Sequence, residues 1–280
     1  MDAAPCLRAT IGQPVELPPA LGALARREVR VSLQPAEIGS GVRFRRTDVP
    51  VEFPATPDHL APSRNCTALG AADASIAFIE HLMACLAAAR LSDVLVTTDG
   101  PEIPLYEGSA RVIWAAVQAA GRVESDVPWP PLVVDEPVRV AEGAAWLEAT
   151  PADSMRLSYI LEHAHAMVGR QLASFAAGED FGATLAPART FATDDEIRAL
   201  YGTDPTPLIE QICLVVYPDR LSEEPSLPEP FARHKLLDLL GDLFLCGRPL
   251  HGSVVAYRSG HALNQALARA LLDQAAAPQS

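Results

Sequence analysis

The segment Ser75-Ile-Ala-Phe-Ile-Glu-His-Leu-Met-Ala-Cys85 decides how this chain can fold. From residue 76 onward it contains neither glycine nor proline, and it is apolar except for the adjacent pair Glu80 and His81. Such a run predicts a helix that is buried nearly all round, which we place at residues 76–89. An exposed position for Glu80 fits poorly in this segment, so the pair is a candidate for chemistry.

A second polar pair lies far downstream, in Arg233-His-Lys-Leu-Leu-Asp238. The i, i+4 spacing of His234 and Asp238 puts both side chains on one face of a helix. With His81 they form two histidines and one carboxylate, which can hold a catalytic zinc whose fourth position stays open to water. The same ligand set admits iron(II). Glu80, beside one ligand, can serve as general base on that water. The spacing alone more often marks a solvated helix face.

The composition describes a globular protein long enough for two ordinary domains. The chain has 280 residues, of which 49% are hydrophobic and 20% are charged. The net charge of −13 argues against a nucleic-acid partner, although it leaves room for a local cationic pocket that binds one phosphate. The five cysteines are an odd number without a CxxC pair, which indicates free thiols in a reducing compartment.

Neither a targeting signal nor a membrane segment is expected. Residues 1–8 lack a basic region followed by an apolar one, so no signal peptide is predicted. No apolar run reaches the ~20 residues of a membrane span. We therefore expect a cytoplasmic protein without a transmembrane segment.

The apolar periodicity and the turn signals predict an α+β protein built of two halves. Predicted strands cover residues 29–33, 41–46, 93–98, 132–140, 145–149, 155–161, 211–217 and 254–257. Predicted helices cover residues 76–89, 110–120, 194–201, 231–245 and 261–276. The proline-dense stretch 127–132 is the best boundary, which gives a first domain at 1–126 and a second at 127–280. The halves share an order of elements but no residue-level repeat.

Six segments make nearly the whole chain resemble one known family. They are Cys66-Thr-Ala-Leu-Gly70, Ile79-Glu-His-Leu-Met83, Asp99-Gly-Pro-Glu-Ile-Pro-Leu-Tyr-Glu-Gly-Ser-Ala110, Ala188-Arg-Thr-Phe191, Phe231-Ala-Arg-His-Lys-Leu-Leu-Asp-Leu-Leu-Gly-Asp-Leu243 and Ala256-Tyr-Arg-Ser-Gly-His-Ala-Leu-Asn264. In this order they resemble the zinc-dependent UDP-3-O-acyl-N-acetylglucosamine deacetylases of lipid A biosynthesis. The resemblance implies two similar halves, each a sheet with two helices, packed through the helices around a zinc site.

The resemblance also implies the metal ligands and the base. The family's zinc ligands match His81, His234 and Asp238, and its general base matches Glu80. Hydrolysis of an amide needs one proton taken from water and another given to the leaving amine. A carboxylate at Glu80 would take the first.

Five further residues match functional positions of the family. His261 matches a second catalytic histidine, whose cation can stabilise the tetrahedral oxyanion or protonate the amine. Asp242 matches the carboxylate that pairs with this histidine and raises its pKa. Thr190 matches an oxyanion donor. The expected substrate contacts are Phe191 and Lys235, the only lysine in the chain.

The remaining histidines are weaker candidates. His163 and His165 are separated by one residue, so on a strand both would face the same side. A metal site there is a weaker alternative than a solvated strand face. His251 has no assigned role.

Three departures from the family pattern concern the substrate rather than the metal. The family begins with a segment of the form Gly-x-Gly-Leu-His, whereas residues 20–28 here contain no histidine. A Gly-Gly-Ser segment is replaced by residues 205–211, and the aspartate of a Pro-x-x-Asp-Gly-Ser turn is Glu107. The first two departures affect the expected acyl-chain passage and sugar contacts.

The predicted activity is zinc-dependent hydrolysis of the N-acetyl group of UDP-3-O-acyl-N-acetylglucosamine. Its partner would be a UDP-linked acylated amino sugar, and the chain would act as a monomer. One alternative is a paralogue that deacetylates another N-acylated amino sugar. The other is a non-catalytic protein that retains the fold, which would be expected to have lost at least one of the matched residues.

Overall fold

The computed structural model describes residues 6–71 and 74–277. The prediction that no signal peptide is present concerns residues 1–8, and the first five of these lie outside the described residues. The predicted α+β class is confirmed. The strands are β1 (Leu7–Ile11), β2 (Val15–Glu16), β3 (Ala20–Leu21), β4 (Glu28–Val29), β5 (Val31–Pro35), β6 (Val42–Arg46), β7 (Val51–Pro54), β8 (Val94–Thr98), β9 (Arg122–Pro128), β10 (Leu132–Val133), β11 (Val138–Glu142), β12 (Ala145–Thr150), β13 (Arg156–Glu162), β14 (Arg170–Ala176), β15 (Phe191–Thr193), β16 (Leu214–Val216), β17 (Leu250–His251) and β18 (Ser253–Tyr257). The helices are α1 (Glu80–Ala88), α2 (Arg111–Ala120), α3 (Phe181–Thr184), α4 (Asp194–Tyr201), α5 (Pro207–Ile212), α6 (Pro230–Leu243) and α7 (His261–Ala276). Among the described residues, none of the helices combines the length and the apolar character that crossing a membrane requires.

Two five-stranded sheets with the same topology form the framework. The strand order is β2-β5-β8-β6-β7 in the first sheet and β11-β12-β18-β13-β14 in the second. In each sheet the central strand is the last of the five in the chain. It pairs antiparallel with the second of the five and parallel with the third. The two similar halves predicted from element order are therefore confirmed as two copies of one structural unit.

The helices follow the same duplication. Helix α1 precedes the last strand of the first sheet and α6 precedes the last strand of the second, while α2 and α7 come after those strands. Helices α1 and α6 pack against each other, and both are buried over most of their length. The approach is closest at Gly241, where an added Cβ would lie 2.0 Å from the carbonyl oxygen of Glu80. A glycine is needed there because any side chain would meet backbone.

Helix α1 begins later than the sequence predicts. Residues Ile76 and Ala77 form isolated β-bridges with Leu69 and Glu102 instead of a helical turn. Phe78 then has a φ of 59°, a left-handed conformation that a right-handed helix cannot contain. The helix therefore starts at Glu80, and the predicted start at residue 76 is wrong. This start places the carboxylate in the first turn, where the helix dipole favours negative charge.

Two predicted strands are also wrong in their extent. The strand predicted at residues 132–140 is divided into β10, which pairs with β17, and β11, which pairs with β12. Pro137 lies between them and has no amide hydrogen for a ladder. Of the strand predicted at residues 211–217, only Leu214–Val216 pair as a strand, because α5 continues to Ile212. Thr206 caps α5 by accepting a hydrogen bond from the amide of Ile209.

The proline-dense stretch at residues 127–132 is part of the packed structure. Strand β9 continues to Pro128 and pairs with β1, a pairing that the sequence pattern does not predict. Trp129 is buried, and its Nε1 donates to the carbonyl of Gly247. The division into domains 1–126 and 127–280 stays a prediction.

Strands β15 and β16 pair in parallel. Helices α4 and α5 lie between these two strands in the chain and form an insertion in the second half. Thr193 and Glu196 form a reciprocal capping box at the start of α4. Gly202 ends this helix in the left-handed conformation. The insertion thus begins at β15, directly after Thr190, and ends with β16, and these two strands form a sheet separate from the main sheet.

Candidate active site

The predicted metal ligands come together at the contact between the equivalent helices. One donor atom each from His81 on α1 and from His234 and Asp238 on α6 lies within 4.8 Å of the others. His81 Nε2 is 3.5 Å from Asp238 Oδ1, and His234 Nε2 is 3.5 Å from Asp238 Oδ2. All three residues are buried. In residues 6–71 and 74–277 this is the single group of three or more candidate ligands.

His234 and Asp238 have the protonation states that a metal requires. Burial lowers the pKa of His234 to about 3, which keeps its imidazole neutral. Burial would raise the pKa of Asp238, but the cation of Lys235, which contacts Asp238 Oδ2, holds that pKa well below its usual range. Asp238 Oδ1 is buried without a hydrogen-bond partner. Because such an acceptor is costly to leave unpaired, the cluster fits a divalent cation.

The surroundings of His234 orient its ring. Its Nδ1 lies 3.4 Å from the carbonyl oxygen of Ala188, so Nε2 is the nitrogen turned toward Asp238. The ring of Phe191 packs edge-on against it, with ring centroids 6.1 Å apart. A carbonyl partner on the second nitrogen is the usual support of a metal-binding histidine.

Glu80 lies beside this cluster as the first residue of α1. Its side chain is buried, and Oε2 accepts a hydrogen bond of 2.9 Å from the backbone amide of Thr67. Burial raises the pKa of Glu80, while the nearby His261 and His81 lower it. A carboxylate whose pKa is raised toward neutrality is suited to accept a proton.

His261 and Asp242 form the expected pair. His261 Nδ1 lies 2.9 Å from Asp242 Oδ2, and its Nε2 lies 3.8 Å from Asp238 Oδ2. Burial alone would lower the pKa of His261, but Asp242 and then Asp238 raise it to about 9. Asp242 is fully buried and also accepts a hydrogen bond of 2.9 Å from Asn264 Nδ2. The structure therefore brings a cationic imidazole to the same space as Glu80.

Of the three remaining expected residues, Phe191 and Lys235 contact the cluster, and Thr190 directly precedes Phe191. The amide of Thr190 donates to the carbonyl of Gly108 at 2.7 Å, and the carbonyl of Thr190 accepts from the amide of Leu214 at 2.8 Å. Phe191 is half-buried against His234. Lys235 Nζ contacts Asp238 Oδ2 at 2.6 Å, which is the oxygen facing His234.

The other histidines lie elsewhere. Strand β13 ends at Glu162, so His163 and His165 are not on a strand. His163 Nε2 lies 3.8 Å from Glu196 of α4, and His165 Nδ1 accepts from the amide of Met167 at 3.2 Å. The expectation that both face one side of a strand is wrong. His251 is on β17, outside the group of candidate ligands.

Thr67 is a site residue that the sequence reasoning missed. Its amide contacts Glu80, and its hydroxyl donates to Asp242 Oδ1. The hydroxyl also accepts a hydrogen bond of 3.0 Å from Gln265 Nε2. The sequence offers one signal, because Thr67 lies in the Cys66–Gly70 segment that resembles the family. That segment assigns no chemical role to the threonine.

Two of the three departures meet at one place. Arg189 Nε donates to the carbonyl of Glu107, and Arg189 Nη2 donates to the carbonyls of Glu210 and Gln211 at 2.8 Å each. A cavity of about 660 Å³ lies beside this contact, and Glu107, Arg189, Glu210 and Gln211 are part of its wall. The third departure, at residues 20–28, forms the β3–β4 hairpin, in which the amide of Leu24 donates to the Glu102 carboxylate.

A buried cluster of two histidines and a carboxylate, with an acid–base pair beside it, is the type of site that hydrolytic metalloenzymes use. The family model LpxC, UDP-3-O-acyl N-acetylglycosamine deacetylase, matches residues 8–273. The chain therefore belongs to the LpxC family.

Curated relatives support this membership at the level of whole chains. A UDP-3-O-acyl-N-acetylglucosamine deacetylase of Thermosynechococcus vestitus is 37% identical over 88% of this chain and 87% of the relative. Proteins with the same name from Myxococcus xanthus and Aliivibrio fischeri are each 34% identical. These alignments cover 87% and 90% of this chain, and 80% and 86% of the respective relatives.

Proposed function

We propose that this protein removes the acetyl group from UDP-3-O-acyl-N-acetylglucosamine by zinc-dependent hydrolysis, a step of lipid A biosynthesis. The observation that carries the proposal is the joint burial of His81, His234 and Asp238 beside Glu80. Membership of the family and the names of its relatives support the substrate.

The metal would be held by His81 Nε2, His234 Nε2 and a carboxylate oxygen of Asp238. A zinc ion bound there would polarise the amide carbonyl and make water more acidic. The neutral state of His234 and the unpaired Asp238 Oδ1 support this assignment. Iron(II) has the same ligand preference, and metal analysis of the purified protein distinguishes the two.

Glu80 takes the proton of the attacking water. Its Oε2 is held by the Thr67 amide, so the second oxygen is the one that remains to accept the proton. Protonation removes a buried negative charge, which the raised pKa of Glu80 favours. The water oxygen then forms a bond to the acetyl carbon, and the carbonyl oxygen becomes an oxyanion.

Thr190 and His261 complete the reaction. Thr190 donates to the oxyanion, and two backbone hydrogen bonds fix its position. His261 Nε2 carries a proton at neutral pH because Asp242 holds Nδ1. That proton goes to the amine nitrogen as the carbon–nitrogen bond breaks, which releases acetate and the free amine.

Phe191 and Lys235 are proposed to contact the sugar. Lys235 also neutralises part of the charge on Asp238, so its replacement should affect both substrate and metal binding. The departures at Glu107 and at residues 205–211 favour one second candidate, which is deacetylation of another N-acylated amino sugar. Those segments line the cavity next to Arg189 rather than the metal ligands.

We further propose that the chain acts as a monomer in the cytoplasm. All five cysteines are free thiols in the structure, which supports a reducing compartment.

The test is a pair of parallel assays on protein whose metal content has been measured. Acetate release is followed with UDP-3-O-acyl-N-acetylglucosamine and with a UDP-N-acetylated amino sugar that lacks the 3-O-acyl chain. The proposal expects about one zinc per chain and a clear preference for the acylated substrate. Equal rates on both substrates would favour the second candidate, and no acetate release from a fully loaded protein would refute the proposed chemistry.

A further inference from the structure

Thr67 lies between the two acid–base groups of the site and touches both. It is almost completely buried, in a short segment without regular secondary structure that precedes α1. The segment comes from the first half of the chain, whereas Asp242 and His261 come from the second. Because Glu80 also comes from the first half, Thr67 connects the base of one half with the cation of the other.

The amide of Thr67 fixes the base. It donates to Glu80 Oε2 at 2.9 Å. The amide of Ile79 donates in turn to the carbonyl of Thr67 at 3.2 Å, so the turn before Glu80 is attached to the same residue. These two contacts fix the position of the Glu80 carboxylate relative to the segment that contains Thr67.

The hydroxyl of Thr67 fixes the carboxylate that supports the cation. Its oxygen accepts from Gln265 Nε2 at 3.0 Å and lies 3.2 Å from His261 Nδ1. Its own hydrogen is therefore directed to Asp242 Oδ1. The other oxygen of Asp242, Oδ2, accepts hydrogen bonds from His261 Nδ1 and Asn264 Nδ2, both at 2.9 Å. With Thr67 in place, both oxygens of this fully buried carboxylate have donors.

A hydroxyl is the small side-chain group that can donate to a carboxylate while it accepts from an amide. A methyl in its place would leave Asp242 Oδ1 without a donor and Gln265 Nε2 without this acceptor. The Asp242 carboxylate would then be held through Oδ2 alone, and a change in its orientation would move the imidazole that is hydrogen-bonded to it.

We infer that Thr67 is a positioning residue for the deacetylation, whose hydroxyl fixes the Asp242–His261 pair at a set distance from Glu80. This inference rests on the proposed function. Thr67 touches neither metal ligand nor reacting atom, so its contribution should appear in turnover rather than in metal content or substrate affinity.

The experiment compares Thr67→Val, which keeps the branched shape and the amide, with Thr67→Ser, which keeps the hydroxyl. Loss of a buried hydrogen bond to a charged group should lower kcat by about 10- to 100-fold in Thr67→Val. The value of KM should stay within about threefold. Thr67→Ser should recover most of the lost turnover.

Thr98→Val is the matched control. Thr98 is as buried as Thr67, and its hydroxyl donates to backbone carbonyls of Gly100 and Glu102, outside the site. It should lose stability without a comparable loss of kcat. If Thr67→Val does not fold, Thr67→Ala replaces it, because alanine removes the hydroxyl without adding volume.

A second measurement does not depend on the substrate. In protein labelled with ¹⁵N-histidine, the ring Nδ1 proton of His261 reports its hydrogen bond to Asp242. Its chemical shift should change in Thr67→Val and stay near the wild-type value in Thr67→Ser and Thr98→Val. An unchanged shift in Thr67→Val, kcat within threefold of wild type, or a Thr67→Ser enzyme as slow as Thr67→Val would overturn the inference. If wild-type protein releases no acetate, the proposed function fails. The His261 resonance then still tests whether the Thr67 hydroxyl positions the Asp242–His261 pair.

Discussion

Gly241→Ala should separate the two helices that carry the site. A Cβ at this position would lie 2.0 Å from the carbonyl oxygen of Glu80, whereas ordinary contact begins at 3.4 Å. The difference means that α1 and α6 would have to move apart by about 1.4 Å. The atoms in the way belong to the backbone of α1, so no side-chain rotation can relieve the contact.

The displacement acts directly on the metal cluster, because His81 is on α1 and the other two ligands are on α6. Metal–ligand distances tolerate changes of only about 0.2 Å. We therefore expect a loss of zinc affinity at least as large as the ~10- to 100-fold that removal of an outer-shell contact produces. The free energy of unfolding should also fall. Overpacking costs ~1–3 kcal/mol, and the better helix propensity of alanine returns only about 1 kcal/mol.

Zinc affinity is measured by competition with a chelator, and stability by thermal unfolding of the metal-free protein. Gly260→Ala is the control, because Gly260 has a φ of −131° and no atom within 4 Å of an added Cβ. Gly241→Ala should bind zinc more weakly and unfold at a lower temperature than this control. The reasoning is refuted if Gly241→Ala keeps the zinc affinity of wild type and unfolds at a higher temperature, as helix propensity alone would produce.

Three further predictions concern the ligands and the acid–base groups. His81→Ala should lose its zinc, because two protein ligands bind far more weakly than three. His163→Ala, outside the cluster, should keep its zinc and is the control. Metal analysis of both proteins tests this, and a fully loaded His81→Ala would contradict the ligand assignment. Glu80→Ala should keep the metal and lose ~10²–10⁴-fold in turnover, the usual contribution of a general base; turnover within a few-fold of wild type would exclude that role. The pH profile of kcat/KM should be bell-shaped, because activity is lost at low pH as Glu80 gains a proton and at high pH as His261 loses one, near its pKa of about 9. In Asp242→Asn the alkaline limb should move to lower pH, since the largest cause that raises the pKa of His261 is removed; a limb that does not move would refute the pairing.

The candidate metal ligands could be predicted because each half of the group has a local signal and the resemblance to the family joins the two halves. His234 and Asp238 share a helix face through their spacing, and Glu80 and His81 lie in a segment too apolar for exposed charges. The duplication of the two halves could be predicted only as an order of elements. The duplication itself is seen in the structure, where the two five-stranded sheets have the same strand order and directions.

The elements that could not be predicted lack a local pattern. Strand β9 is exposed along nearly all its length, so it shows no alternation of apolar and polar residues. The left-handed backbone at Phe78, which moves the start of α1, is imposed by bridges to distant residues. The role of Thr67 depends on contacts with Asp242 and Gln265, which are more than 170 positions away in the chain.

The duplicated architecture explains why the chemistry and the substrate contacts can vary separately. The ligands, Glu80 and Asp242 project from the two central helices, where a change such as a side chain at Gly241 disturbs backbone packing. The departures at Glu107 and at residues 205–211 lie on a loop and on the insertion, around the cavity of about 660 Å³. Arg189 joins these segments through three backbone carbonyls and is followed directly by Thr190. Changes in the insertion can therefore reach Thr190, the expected oxyanion donor, while the candidate metal ligands and Glu80 stay fixed by the contact between α1 and α6.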